Sequence, residues 1–283
     1  MDGSTEKELF PTEEDLKQPP TLAAKLNMAF RFICVLLAAI PTTTVPPVLL
    51  TLLLYRRFRN EELFRRIHCV LGWANFCARR ILQMDIRIEG RERLPRHRRK
   101  LMFVSNHQSY VDIPMIMGAM RIGGFLSKSM VAFLPFLGLI AWMSGTIYFS
   151  RRKARSRKRA LEDVVRMSEQ STPVALFPEG TRSVDGHLRE KIHLGAVKAC
   201  WERGVRVATF AFHGTRYVFP PTMDRYHGHQ RVALVVGETL DPADYPDADA
   251  FATAAWDEVS RRFDRAREMR SSPDWESLDR AID

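Results

Sequence analysis

Residues 32–55 form a run of 24 positions without a charged side chain, FICVLLAAIPTTTVPPVLLTLLLY, with Arg31 before it and Arg56, Arg57 and Arg59 after it. That length reaches the roughly 20 apolar residues a helix needs to cross a bilayer. Pro41, Pro46, Pro47 and three threonines break its middle. Two short apolar arms about a kink, a hairpin dipping into one leaflet, fit the pattern as well as a span does. A buried core helix would suffer from the same prolines, which remove backbone donors. The acidic stretch before the run and the run's length speak against a cleaved signal peptide. If the run spans, the heavier Lys/Arg load on its C-terminal side puts the following body on the cytoplasmic face. A second uncharged stretch, residues 130–149, is interrupted by Pro135, Gly138, Ser144 and Gly145. It predicts a buried helix followed by a core strand, with one face open to lipid.

Beyond the anchor, short apolar or β-branched runs recur at 85–89, 101–105, 122–127, 146–149, 173–177, 205–212 and 231–236. Helix-like windows lie between most of them, near 113–120, 129–143, 154–170, 193–203 and 250–268. Strands alternating with helices predict an α/β domain: a mostly parallel central sheet of about seven strands flanked by helices, preceded by an N-terminal membrane-associated helical segment. The expected organisation is an acidic tail over 1–24, an anchor over 25–66, the α/β domain over 67–270 and a loose tail over 271–283. Phe251, Ala255, Val259 and Phe263 recur at helical spacing and mark the buried stripe of a closing helix.

Composition narrows the class. A chain of 283 residues, 46% hydrophobic and 27% charged, is ordinary globular usage and excludes disordered and collagen-like classes. The mean hydropathy of −0.21 excludes a polytopic membrane protein but not a single anchor. Acids concentrate at the two ends, so residues 21–240 carry 35 bases against 15 acids. So basic a body favours polyanionic company: nucleic acid, an anionic membrane face or phosphorylated substrates. The four cysteines form no C-x-x-C pair and predict free thiols rather than a disulfide framework or a zinc ribbon. Nucleotide-binding glycine loops, G-x-S-x-G and H-E-x-x-H are all missing from the sequence, which argues against NTPase, dinucleotide, serine-hydrolase and zincin chemistry.

In a sheet of this kind chemistry collects beyond the carboxyl ends of strands. One candidate is Leu101-Met-Phe-Val-Ser-Asn-His107-Gln-Ser-Tyr-Val-Asp112-Ile-Pro114, a buried strand running into a polar turn and a helix start. His107 and Asp112 are five apart and would diverge by about 140° on a continuous helix. They can meet only if His107 lies in the turn and Asp112 opens the helix. A carboxylate on one ring nitrogen fixes the tautomer and leaves the other nitrogen as a base. The competing reading is structural, since Ser109-x-x-Asp112 also fits a capping box. The other candidate, Val174-Ala-Leu-Phe-Pro-Glu179-Gly180-Thr181-Arg182-Ser183, ends a strand in a turn presenting a carboxylate, hydroxyls and a guanidinium suited to phosphate oxygens.

Taken together, Asn-His-x-Ser-x-x-Asp, then Gly145-Thr-Ile-Tyr-Phe-Ser-Arg151, then Phe-Pro-Glu-Gly-Thr-Arg-Ser resembles the glycerolipid acyltransferase family over about residues 100–215. The resemblance implies an enzyme moving a fatty acyl group from acyl-CoA or acyl carrier protein to a lysophospholipid hydroxyl, 1-acylglycerol 3-phosphate first among acceptors. His107 would be the general base, oriented by Asp112, with no acyl-enzyme, metal or other cofactor. Arg151 and Arg182 would hold the acceptor's phosphate, Glu179, Gly180 and Thr181 would shape that site, and Lys128 is a weaker binding candidate. Two segments depart from the family's pattern. Residues 191–195 read Lys-Ile-His-Leu-Gly rather than Phe-Lys before a glycine, and 207–213 lack a proline. The acceptor is where those departures bear, so a lyso-aminolipid, another lysophospholipid or glycerol 3-phosphate stays open. A catalytically silent lipid-binding protein of the same fold is the rival from another class.

Residues 151–159, RRKARSRKR, hold seven bases in nine. Without any nucleic-acid-binding signature they read as a solvated helix start lying against anionic headgroups, and no nucleic-acid partner is expected. His227-Gly-His229 lacks further ligands at workable spacing and reads as a loop.

Overall fold

The computed structural model describes residues 16–43, 68–134, 137–149, 154–169, 174–222 and 224–278. Helix α1 spans Leu22–Thr43. Helix α2 spans His68–Phe76 and runs into a π-helical turn, Cys77–Ile81. The sheet follows as β1 (Met84–Glu89), β2 (Leu101–Val104), β3 (Gly124–Lys128), β4 (Ile147–Phe149), β5 (Val174–Leu176), β6 (Arg206–His213) and β7 (Gln230–Leu240). Interleaved are α3 (Asp112–Met120), α4 (Leu137–Met143), α5 (Ala154–Glu169), α6 (Gly195–Glu202), the one-turn α7 (Thr215–Val218) and the closing α8 (Ala248–Arg270).

The seven strands form one sheet in the order β1-β7-β6-β2-β5-β3-β4. Every pairing is parallel except β6 with β7. The sheet is therefore mixed rather than wholly parallel. Residues 214–229 return the chain at the edge where β6 ends, so β7 runs back beside it without a crossover. Strands β6, β2, β5, β3 and β4 all point the same way, and their carboxyl ends share one edge.

Side-chain alternation along the strands builds two cores. Leu101 and Phe103 of β2 face one cluster with Trp73, Met115 and Ile116, whereas Met102 and Val104 face the other with Val164, Val197 and Phe251. On β6, Phe210 and Phe212 join the first cluster and Val207 and Ala211 the second. Runs that are apolar on both faces are what a sheet covered on both sides requires. The stripe of Phe251, Ala255, Val259 and Phe263 is buried on α8, whose first turn is capped by the Asp247 carboxylate accepting from Ala250 N–H at 2.8 Å.

Three expectations change. The single helix expected over 129–143 is a 3₁₀ segment, Ser129–Phe133, followed by α4. Gly138 abuts the Ala132 carbonyl, a contact that no side chain could share. Met130 and Phe133 are exposed, Phe133 at 84%, while Ile140 is buried. The anchor helix begins at Leu22, ahead of position 25, while the Pro46–Pro47 kink, on which the choice between span and hairpin turns, lies outside the described residues. The tail is packed through residue 278. Arg87 on edge strand β1 is buried and needs counter-charge and acceptors. Glu276 supplies a carboxylate at 2.9 Å and Leu278 a carbonyl at 2.9 Å. Trp275, with no exposed surface, donates its indole N–H to Asp85 at 2.6 Å. Residues 279–283 lie outside the described set.

Trp275→Ala should therefore cost about 3–5 kcal/mol of stability, the range for truncating a buried aromatic, read by chemical denaturation. A loss below about 1 kcal/mol, as for an exposed tail residue, would contradict the packing described.

Candidate active site

The turn after β2 is built by its own side chains. Asn106 continues the strand line but turns its amide onto β6. Its Nδ2 donates to the Phe212 carbonyl at 2.9 Å and its Oδ1 accepts from Phe212 N–H at 3.0 Å. Gln108 accepts from Gly214 N–H at 3.2 Å. Ser109 donates its hydroxyl to the Phe219 carbonyl. All three side chains are buried, so the turn is locked to the end of β6 and to α7.

His107 is held within this frame. Its Nδ1 lies 2.7 Å from Asp112 Oδ2, and the same oxygen accepts the backbone N–H groups of Gln108 at 2.7 Å and Ser109 at 2.8 Å. Asp112, the first residue of α3, is fully buried. Closing the turn and gripping the imidazole thus do not compete, because one Asp112 oxygen does both. An oxygen that already accepts two N–H donors calls for a third donor, which assigns the proton to Nδ1 and the lone pair to Nε2. The imidazole stacks on Phe177, ring centroids 4.3 Å apart and planes at 9°, and keeps 15% of its side chain exposed.

The turn after β5 is stitched onto the first. Glu179 Oε1 accepts from His107 N–H at 2.7 Å, Oε2 accepts from Arg189 N–H at 3.2 Å, and Ser183 N–H donates to the His107 carbonyl at 2.9 Å. Gly180, at φ +63°, takes the left-handed conformation that closes this turn. Thr181 is half-buried beside it. Arg182 lies flat on Tyr110, its guanidinium carbon 3.5 Å from the ring centroid. Glu179 therefore spends both oxygens on backbone donors, a bracing position rather than an open face of a ligand site.

Lys128 closes β3, opposite Phe149 of β4 in the register. Its strand position puts it on the same sheet edge as both turns. Arg151 lies outside the described residues, as do the first residues of the basic run. His213, at the end of β6, is pushed down to about 3 by burial and by Arg270, Arg267 and Arg216, which leaves it neutral. Among the described residues, no group of three or more His, Cys, Asp or Glu side chains could hold a metal ion.

Sequence reasoning passed over Asn106, Gln108, Tyr110 and Phe177. Asn106 stood inside the quoted motif. Gln108, Tyr110 and Phe177 stood in the quoted segments as well, but only the three-dimensional arrangement shows what each of them touches.

Burial pushes the Glu179 carboxyl up to about 7, outweighing the two N–H donors, with the Asp112 charge acting in the same direction as burial. A carboxyl raised above its ordinary value keeps its proton in the folded state where the unfolded chain has lost it. Stability should fall as pH rises from about 4.5 to about 7 and level off above that. Glu179→Gln carries no such proton, so urea titrations between about pH 5 and pH 8 should show the wild type losing stability relative to the variant. Parallel profiles would mean that this carboxyl is not perturbed.

Comparison with known proteins agrees with this geometry. A family model described as Acyltransferase matches residues 85–213, from β1 to the end of β6. A Chlamydomonas reinhardtii 1-acyl-sn-glycerol-3-phosphate acyltransferase is 29% identical over 251 residues, covering 87% of this chain and 72% of the algal protein. A lyso-ornithine lipid O-acyltransferase of Pseudomonas aeruginosa is 29% identical over 170 residues, covering 59% of this chain and 61% of that protein. The crystal structure of the 1-acyl-sn-glycerophosphate acyltransferase PlsC from Thermotoga maritima superposes with a TM-score of 0.67 at 22% identity, over 89% of this chain and 96% of the other, and so shares its fold. Residues 85–213, which hold both turns, are the part of this chain that matches the Acyltransferase family model.

Proposed function

We propose that this protein transfers a fatty acyl group from an acyl thioester, acyl-CoA or acyl carrier protein, to the free hydroxyl of 1-acylglycerol 3-phosphate, giving phosphatidic acid. The observation that carries this reading is the His107–Asp112 pair at 2.7 Å, seated at the carboxyl edge of the sheet and joined to the Arg182 turn through backbone hydrogen bonds. His107 Nε2 takes the acceptor's hydroxyl proton as the oxygen attacks the thioester carbonyl. The C–S bond then breaks, and the imidazolium returns the proton to the leaving thiolate. Asp112 stabilises the imidazolium and needs no proton of its own. A thioester is reactive enough towards an activated hydroxyl that no covalent enzyme intermediate is required. Arg182 binds the phosphate of the acceptor, together with Lys128 at the end of β3 and with Arg151.

The described part of the anchor supports work at a bilayer surface. Leu22, Leu26, Phe30, Ile33 and Leu37 form an exposed stripe on α1. Met28, Cys34, Val35 and Ala39 on its other side pack on the domain, and Arg31 donates to the Ile81 carbonyl at 2.8 Å. A helix docked on the domain by one side from Met28 onward, with its other side apolar and exposed, lies in the bilayer surface, with the site on the cytoplasmic leaflet where donor and acceptor meet and anionic headgroups face the basic body.

A second acceptor has a specific observation behind it, because a lyso-ornithine lipid acyltransferase is among the similar proteins. Such a lipid offers a carboxylate where 1-acylglycerol 3-phosphate offers a phosphate, and Arg182 suits either.

The deciding assay offers the purified chain each donor with a panel of lysolipids and identifies products by mass spectrometry. 1-Acylglycerol 3-phosphate should turn over fastest, and His107→Ala should lower kcat by roughly 10²–10⁴-fold. Undiminished turnover by that variant would remove His107 as the base, and preference for the ornithine lipid would replace the acceptor. Replacing Phe30, Ile33 and Leu37 together by serine should release the protein from sedimenting anionic vesicles. Unchanged sedimentation would contradict the role given to α1.

A further inference from the structure

An arginine that receives an anion is usually kept in place by a protein carboxylate, which the ligand must then share or displace. Arg182 is held differently. Among the described residues it makes no ion pair with a carboxylate, and its buried Nε has no hydrogen-bond partner. The partner recorded for it is an aromatic face, with the guanidinium carbon 3.5 Å from the centroid of Tyr110. Stacking uses the flat face of the guanidinium and not its in-plane N–H donors, which are the groups that bind an oxyanion. The ring attracts the cation without neutralising it.

Tyr110 is also mounted on the right part. It lies three residues beyond His107 in the same turn, and that turn is fixed on both sides by buried Asn106, Gln108, Ser109 and Asp112. The Tyr110 ring itself is 43% exposed. An aromatic standing open to solvent on so rigid a turn contributes little to the core. Its contact with Arg182 adds a link to the hydrogen bonds from Glu179 and Ser183 that already join the two turns.

We propose that Tyr110 is a positioning residue that presents Arg182 to the acceptor's phosphate and fixes that phosphate at a set distance from His107. The inference rests on the acyl-transfer reading above and adds to it a residue outside the charged groups. It predicts that the aromatic face, and not the phenolic hydroxyl, is what matters.

The test is steady-state kinetics of the full chain in mixed micelles, with 1-acylglycerol 3-phosphate varied at saturating acyl-CoA. Y110F should keep the wild-type KM within about twofold. Y110A and Y110L should raise it by about five- to twentyfold, the factor corresponding to a cation–π contact, with kcat changed less than about threefold. Inhibition by glycerol 3-phosphate should weaken by the same factor in Y110A and Y110L, a shift that a merely structural role would not produce. Thermal melts check that each variant folds, and Y110L preserves side-chain bulk should Y110A be destabilised. An unchanged KM in Y110L, a Y110F as impaired as Y110A, or a loss confined to kcat would overturn the proposal. If the wild type acylates no phosphate-bearing acceptor, the functional reading and this inference fall together. Wild-type turnover with an unaffected Y110L removes this inference alone.

Discussion

One carboxylate oxygen organises this molecule's chemistry. Asp112 Oδ2 accepts the backbone N–H groups of Gln108 and Ser109 and meets His107 Nδ1, all within 2.8 Å. Burying a carboxylate is unfavourable unless several donors receive it, and here the donors come from the turn that carries the imidazole. Oδ2 of the desolvated acid finds its donors only when the turn closes, and when the turn closes the ring is oriented, while Oδ1 stays buried without a partner among the described residues. Fold and reactivity are thereby set by one local hydrogen-bond demand.

The sheet makes that demand useful. Five strands run the same way, so the turns after β2 and β5 emerge side by side. Glu179 and Ser183 then tie the two turns together through the backbone of His107 itself, bonding its N–H and its carbonyl. The turn carrying His107 and the turn carrying Arg182 are therefore held as one piece. The proposed reaction needs a hydroxyl held at a set distance from a base, and a rigid pair of turns supplies that kind of positioning.

Much of this was legible beforehand because its causes are local. Runs apolar on both faces marked β2 and β6, and the helical spacing of Phe251, Ala255, Val259 and Phe263 marked α8. Pro114 in the first turn of α3 placed His107 in the turn and Asp112 at the helix start, which is where they lie. Other features depend on distant partners and carry no local signal. The reversal of β7 is decided by where residues 214–229 return the chain. The tail looked loose because its charges hide the fact that buried Arg87, nearly two hundred positions earlier, needs Glu276. Glu179 looked like a ligand group because its type suits that role, yet its two backbone partners show a brace.

The central claim is that Asp112 holds His107 as the tautomer protonated on Nδ1, with Nε2 free to act as base. Nitrogen-15 NMR of histidine-labelled full chain at a pH where the ring is neutral, with His107 assigned by comparison with His107→Gln, reads this directly. The expected spectrum shows a protonated, pyrrole-type Nδ1 and an unprotonated, pyridine-type Nε2. A pyridine-type Nδ1, or an averaged mixture of the two forms, would contradict it.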